Sequence, residues 1–83
     1  MLSTQKAEAT VAAVVSQLRD ARVAQGLSFK KLEELSGITH QGIHFIESGE
    51  RMPSLLTLLR IAEPLGVDLG EALLSALHSS EGS

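Results

Sequence analysis

Five residues of one short segment carry the side chains with the most useful chemistry in this sequence. The carboxamide of Gln41 can form a bidentate pair of hydrogen bonds with an adenine, and Phe45 offers an apolar ring. His40 and His44 are four residues apart, and Glu47 follows three residues later, a spacing that can bind zinc on a helix. No cysteine or further histidine lies nearby to complete a zinc site, so we expect no metal and no cofactor.

The length and composition describe one small globular domain. The chain has 83 residues, of which 43% are hydrophobic and 20% charged, and it contains no cysteine. Its apolar runs are far shorter than the roughly 20 residues of a membrane span, and polar residues such as Lys6 interrupt any signal-peptide core. We therefore expect a cytoplasmic protein with no membrane partner. No paired-carboxylate pocket, glycine-rich phosphate loop or Ser/His/Asp set indicates an enzyme.

The net charge of −3 is unevenly distributed along the chain. Residues 1–60 hold seven basic and six acidic residues, a balance of +1, whereas residues 61–83 hold four acidic residues and no basic one, a balance of −4. This distribution excludes a strongly basic, non-specific nucleic-acid binder. It leaves room for a sequence-specific one.

Hydrophobic spacing and helix end signals predict an all-α fold of five helices. We expect residues 1–78 to form one domain and residues 79–83 to be a frayed tail. The predicted helices run from about residue 4 to 25, from Ser28 to Gly37, from Thr39 to just before Gly49, from Ser54 to Gly66, and from Asp68 onward, with Asp68 and Glu71 as a capping box.

The second and third predicted helices are short, and a turn that contains glycine joins them, as in a helix-turn-helix unit. Gly37 occupies the position that must adopt a left-handed conformation, and Ile38 follows it to fill the corner. We expect Leu32 and Leu35 of the second helix to face the core. Ile43 and Ile46 of the third helix should meet these leucines in the core. Leu55 and Leu59 belong to the apolar residues expected on the inward face of the fourth helix.

The stretch from Leu18 to Leu77 resembles the phage-repressor and Cro-type helix-turn-helix family, also called the XRE type. The segments GLS, SGIT, IESGERMPSLLTLLRIA and LGV carry the resemblance. It implies a five-helix bundle that binds operator DNA as a symmetric dimer, with the third helix in the major groove. Phe29 stands where the family has a phosphate-binding glutamine, and Glu33 where it prefers alanine. Glu33 must therefore turn aside or find a partner.

This resemblance assigns functions to the outward face of the third helix and its surroundings. His40, Gln41, His44 and Phe45 are expected to read bases, with Phe45 against a thymine methyl group. Two alternatives for Phe45 are a place in the protein core and a contact with a partner protein. Contacts with DNA phosphates are expected from Lys30, Lys31, Thr39, Ser48 and Arg51.

Two further positions of the third helix have expected structural roles. Glu47 matches a family glutamate that forms an internal ion pair, here with Arg22, and two independent surface charges are the alternative. Gly42 lies inside a helix, where glycine is unfavourable. It would serve a close approach of the helix to the DNA backbone, and the alternative is a neutral change that the fold tolerates.

The fifth helix has an excess of leucine and suggests a dimer interface. Leu69, Leu73, Leu74 and Leu77 offer more apolar surface than one small bundle can cover, and the local negative charge would be repelled by DNA. In one alternative this helix only closes the monomer core, with Leu69 and Leu73 inside. In another, the first helix forms the interface through Val11 and Val14.

The sequence leads to two hypotheses of different classes. In the first, the chain is a transcriptional regulator that binds a palindromic operator in double-stranded DNA as a homodimer. In the second, it is a helix-turn-helix module, such as an antitoxin or anti-repressor, that mainly binds another protein. Phe29, Phe45, Glu33 and the low net charge favour the second.

Overall fold

The computed structural model describes residues 2–81, which form five α-helices and no strand, so the predicted all-α fold is confirmed. The helices are short except for α1, and four tight connections join them. Their bounds are Thr4–Ala24 for α1, Phe29–Ser36 for α2, His40–Glu47 for α3, Leu55–Leu65 for α4 and Leu69–Glu81 for α5.

Hydroxyl groups cap the three central helices where the sequence predicts. Ser28, Thr39 and Ser54 each accept a hydrogen bond from the backbone N–H three residues further on, at 3.0 to 3.1 Å. Gly37 ends α2 and Gly66 ends α4, both with a positive φ that other residues rarely adopt. Local sequence chemistry therefore sets the bounds of these helices.

The core is aliphatic and lies between α1 and the four shorter helices. α1 packs against α3, α4 and α5, and α2 packs against α3 and α4. The buried hydrophobic side chains of the described residues are Val14, Val15, Leu18, Leu32, Ile43, Ile46, Leu58, Ile61, Ala62, Leu65, Leu69, Ala72 and Ala76. This packing fixes α2 and α3 on one side of α1.

Three leucines expected on the inward faces are exposed instead. Leu35, Leu55 and Leu59 keep about half or more of their surface in solvent, so these expectations are wrong. On α4 the reason is helical geometry. Its buried stripe is already filled, and adjacent residues such as Leu58 and Leu59 lie about 100° apart around the axis.

The C-terminal helix is longer than expected. α5 continues through Ser79 to Glu81, where the sequence predicts fraying, while the last two residues of the predicted tail lie outside the described part of the chain. Ala76 is buried and Leu77 half-buried, so α5 packs against the bundle as far as Leu77. None of the helices within residues 2–81 is long and apolar enough to cross a membrane.

Candidate nucleic-acid interface

The turn between α2 and α3 holds the two helices in a fixed relation. Gly37 has φ 78°, and Ile38 is half-buried with its N–H donated to the Ser36 hydroxyl at 3.1 Å. Beneath the turn, Leu32 and Ile43 are essentially fully buried. The residues that determine the relation between α2 and α3 are therefore the ones that the sequence predicts.

α3 divides into an inward and an outward face. Ile43 and Ile46 are buried, whereas the side chains expected to read bases reach the surface: His40, Gln41 and His44 are exposed and Phe45 is half-buried. The phase of the helix is thus the one deduced from the sequence, and Phe45 lies at its edge instead of in the core.

Arg22 of α1 and Glu47 at the end of α3 form a bidentate ion pair. Arg22 Nε and Nη2 donate to the two Glu47 carboxylate oxygens at 2.7 and 2.9 Å, and both side chains are nearly buried. Arg22 Nη1 also donates to the Leu27 carbonyl at 2.8 Å, and Arg19 lies 3.9 Å from the same carboxylate. These contacts tie the C-terminal end of α3 to α1.

Phe29 covers this ion pair. The Arg22 guanidinium lies 4.2 Å from the centre of the Phe29 ring, and His44 of α3 packs edge-on against the same ring at 5.4 Å between centroids. Phe29 is therefore half-buried between three helices. It supports His44 from below, a role that the sequence did not predict for this departure from the family pattern.

Glu33 finds its partner at the first residue of α3. Its Oε2 accepts the His40 backbone N–H at 3.2 Å, and its Oε1 lies 3.1 Å from His40 Nδ1. The hydrogen bond from the His40 side chain, followed by the one from its backbone N–H, lowers the pKa of Glu33 below its ordinary value. The sequence showed only that Glu33 needed a partner, because it did not reveal which residue lies across the turn.

Phe45 and Arg51 also interact, although the sequence did not pair them. The Arg51 guanidinium lies 5.4 Å from the centre of the Phe45 ring, and the Phe45 carbonyl accepts hydrogen bonds from the Arg51 N–H and the Ser48 hydroxyl, both at 3.1 Å. A cation and an apolar ring are thereby held together at the end of α3. Such a pair suits a surface that meets both phosphates and bases.

The remaining phosphate candidates differ in how far they are already engaged. Lys30 is exposed, and Lys31 is exposed with its ammonium 3.4 Å from Glu34. The Thr39 hydroxyl accepts the Gly42 N–H at 3.1 Å as the cap of α3. The two lysines are thus available to a ligand, and Thr39 can still donate its O–H while its oxygen caps the helix.

The structure gives Gly42 a role within the protein that the sequence did not suggest. It is buried, and a Cβ atom at this position would lie 2.9 Å from the Thr39 hydroxyl oxygen and 3.4 Å from Arg51 Nη1. The first of these distances is shorter than real Cβ contacts allow. The missing side chain of Gly42 makes room for the cap of its own helix.

The zinc-type spacing on α3 does not produce a group of ligands. His40 turns to Glu33 and His44 to Phe29, while Glu47 faces Arg22. Within residues 2–81, no three side chains of the metal-binding types are brought together.

The candidate dimer residues are separated by the fold. Leu69 is buried within the monomer and has little surface left for a second copy, because it packs in the core between α1, α4 and α5. Leu73 and Leu77 are half-buried, and Leu74 is 59% exposed. On α1, the alternative candidate Val14 is fully buried. Of the four leucines of the predicted interface, Leu74 is thus the exposed one.

Exposed leucines on α4 form a surface that the sequence did not single out. Leu55, Leu56 and Leu59 are each about half exposed or more, with Leu56 at 65%. The available signal was the number of leucines in α4, because a helix with apolar residues at so many positions has more of them than one buried stripe can hold.

Comparison with known families matches residues 18–71 to the helix-turn-helix family. This match covers more than half of the chain and includes both the α2–α3 unit and the ion pair. The chain belongs to the XRE-type helix-turn-helix family. The family match begins within α1, so the first four turns of that helix precede it.

Two curated relatives of this helix-turn-helix chain are transcriptional regulators by name. An uncharacterised HTH-type transcriptional regulator of Haemophilus influenzae is 42% identical over 57 residues, which cover 69% of this chain and 58% of the relative. The HTH-type transcriptional regulator PuuR of Escherichia coli is 38% identical over 55 residues, which cover 66% of this chain and 30% of PuuR. The chain thus spans less than two thirds of either relative. No solved structure matches it significantly.

Proposed function

We propose that this chain is a sequence-specific regulator that binds a palindromic operator as a homodimer, with α3 in the major groove. The observation that carries the proposal is the amphipathic character of α3. Its inward face is buried, and its outward face presents His40, Gln41 and His44 to solvent. A helix of this kind, set on a rigid helix-turn-helix support, fits the width of the major groove.

Base readout is assigned to the exposed face. The Gln41 side chain is exposed and has no hydrogen-bond partner among the described residues, so its amide is available for a bidentate contact with adenine. Phe45, held by Arg51, offers its ring edge to a thymine methyl group. His40 and His44 flank Gln41 and complete the reading surface.

Phosphate contacts are assigned mainly to side chains. The N-terminal N–H groups of Lys31 and His40 already donate to Ser28 and Glu33, so the helix ends are partly satisfied. The exposed cations Lys30, Lys31 and Arg51 remain for the DNA backbone, as expected from the sequence. This small number of cations predicts a modest salt dependence of binding.

A homodimer would supply the affinity that one short recognition helix lacks. Two copies with α3 about 34 Å apart would read two half-sites of a palindrome. Packing contacts put α3 beside α1 and α2, and α5 beside α1 and α4, so a dimer formed through α5 leaves α3 accessible. Leu74 is the residue of the predicted interface that best fits this role.

A protein-binding module remains the second candidate function. The exposed leucines of α4 favour it, because apolar surface of this kind is typical of interfaces. Phe29 no longer supports it, since the ring packs inside the protein against Arg22 and His44. In either function the chain acts by binding and not by catalysis, and as a regulator it would work in the cytoplasm, where the DNA is.

A gel-shift experiment with DNA from upstream of the chain's own gene, at two salt concentrations, separates the two functions. A regulator gives a shift that random DNA does not compete away and that weakens with salt, whereas a module gives no shift and co-purifies with a protein partner. Gln41→Ala should weaken specific binding by about 1–3 kcal/mol and leave binding to random DNA nearly unchanged. Gln5→Ala, which makes the same chemical change at an exposed residue near the start of α1, is the control. Equal losses on both DNAs would remove Gln41 from base readout.

A further inference from the structure

Glu33 engages His40 through both of its carboxylate oxygens. One oxygen accepts the backbone N–H of His40 at 3.2 Å, and the other lies 3.1 Å from Nδ1 of the ring. Among the residues that the structure describes, the second ring nitrogen, Nε2, has no hydrogen-bond partner, and the side chain is 48% exposed. The imidazole is therefore oriented by one nitrogen and presents the other.

The chemistry of this contact determines where the ring proton lies. Hydrogen bonds from His40 hold the pKa of Glu33 below its ordinary value, and the nearby charge of Lys30 acts in the same direction. The carboxyl is thus ionised at neutral pH, and an ionised carboxylate can only accept hydrogen bonds. Nδ1 must then carry a hydrogen. When the ring is neutral, its lone pair consequently lies on Nε2.

We propose that Glu33 determines the base specificity of His40 by fixing this tautomer. The proposal rests on the proposed function, because α3 must enter the major groove for Nε2 to meet a base. A neutral ring held in this way accepts a hydrogen bond, so it selects the amino group of adenine N6 or cytosine N4. A ring of the opposite tautomer would donate, and would select guanine or thymine oxygen or a purine N7.

Glu33→Gln should switch the tautomer of His40 without changing the size of the side chain at position 33. The backbone N–H of His40 can only donate, so the single carbonyl oxygen of the introduced amide is needed there. The NH₂ group of the same amide then faces Nδ1 and donates to it. Nδ1 must now hold the lone pair, and the proton of the neutral ring moves to Nε2. Glu34→Gln makes the same chemical change one residue later, where the carboxylate contacts Lys31 and not His40.

NMR spectroscopy of the free protein tests the tautomer directly. Long-range ¹H–¹⁵N spectra at about pH 8.5, some two units above the ordinary histidine pKa, distinguish the nitrogen with the lone pair from the one with the hydrogen. We expect the lone pair of His40 on Nε2 in the wild type and in Glu34→Gln, and on Nδ1 in Glu33→Gln. The same His40 tautomer in all three proteins would overturn the proposal.

Selection from a library of random DNA duplexes at the same pH tests the specificity. Wild type and Glu34→Gln should select one motif, and Glu33→Gln a motif that differs at one base pair in each half-site. Identical motifs, with the tautomer switched, would overturn the role of Glu33 in base readout. If no protein selects any sequence, the proposed DNA binding fails and the base readout with it, while the NMR result still decides whether Glu33 sets the tautomer.

Discussion

Removal of the Glu47 carboxylate should show how much the ion pair between α1 and α3 contributes to stability. Glu47→Ala leaves the Arg22 guanidinium, which is 12% exposed, without the two acceptors at 2.7 and 2.9 Å. Breaking a buried pair in this way costs about 3–5 kcal/mol. The Leu27 carbonyl remains as a partner at 2.8 Å, so we expect a loss near the lower end of that range.

A loss of this size is large for a domain of 83 residues. At roughly 0.05–0.15 kcal/mol per residue, its total stability is about 4–12 kcal/mol. Since the chain has no tryptophan or tyrosine, urea unfolding is best followed by far-ultraviolet circular dichroism of the helices. Glu50→Ala, which removes an exposed carboxylate three residues away, is the matched control and should cost little.

The double variant Arg22→Met, Glu47→Leu completes the test. Apolar side chains can replace a buried ion pair with little loss of stability, so this variant should be more stable than Glu47→Ala. A loss in Glu47→Ala no larger than in Glu50→Ala would refute the structural role of the pair. So would a double variant whose loss equals the summed losses of Arg22→Met and Glu47→Leu measured singly, because residues in contact are expected to be coupled.

Three further outcomes follow from the structure. Gly42→Ala should lower the free energy of unfolding of the wild type by about 1 kcal/mol, because the added methyl group clashes with the Thr39 hydroxyl. In a Thr39→Gly background, where helix propensity dominates, it should raise the free energy of unfolding by about 1 kcal/mol. The same sign in both backgrounds would contradict this. Because the pKa of Glu33 is lowered in the folded state, the contribution of its carboxylate to folding stability is present above pH 4.5 and is lost as the pH falls through the folded pKa. The difference in stability between wild type and Glu33→Gln should therefore shrink in acid. Urea titrations that show a constant difference at all pH values would disprove it. In sedimentation experiments, Leu74→Glu should give a folded monomer, whereas dissociation by Leu56→Glu alone would place the interface on α4.

The sequence determined the elements of this protein because their signals are local. Caps such as Ser28 and Thr39, and the left-handed Gly37, act within one turn of the chain and need no tertiary context. The outward face of α3 followed from helical periodicity, because the inward positions of an eight-residue helix leave few choices. The helix-turn-helix unit and its exposed residues were therefore predictable.

The tertiary structure decided which residues meet across helices. Glu33 and His40 are seven residues apart, and their contact depends on how α2 crosses α3. Likewise, the stacking of Arg22 on Phe29 requires α1 and α2 to pack at a given distance. Charge and aromatic character indicate that such residues need partners, but the partner is chosen by packing.

Packing also decided which leucines are buried. Leu69 and Leu74 belong to the same leucine-rich helix, and the sequence left open whether Leu69 faces an interface or the core. In the structure Leu69 lies in the core and Leu74 in solvent. A hydrophobic pattern states only that a side chain prefers to leave water. Whether its own core or another molecule provides the cover depends on the space left between the helices, which only the folded structure fixes.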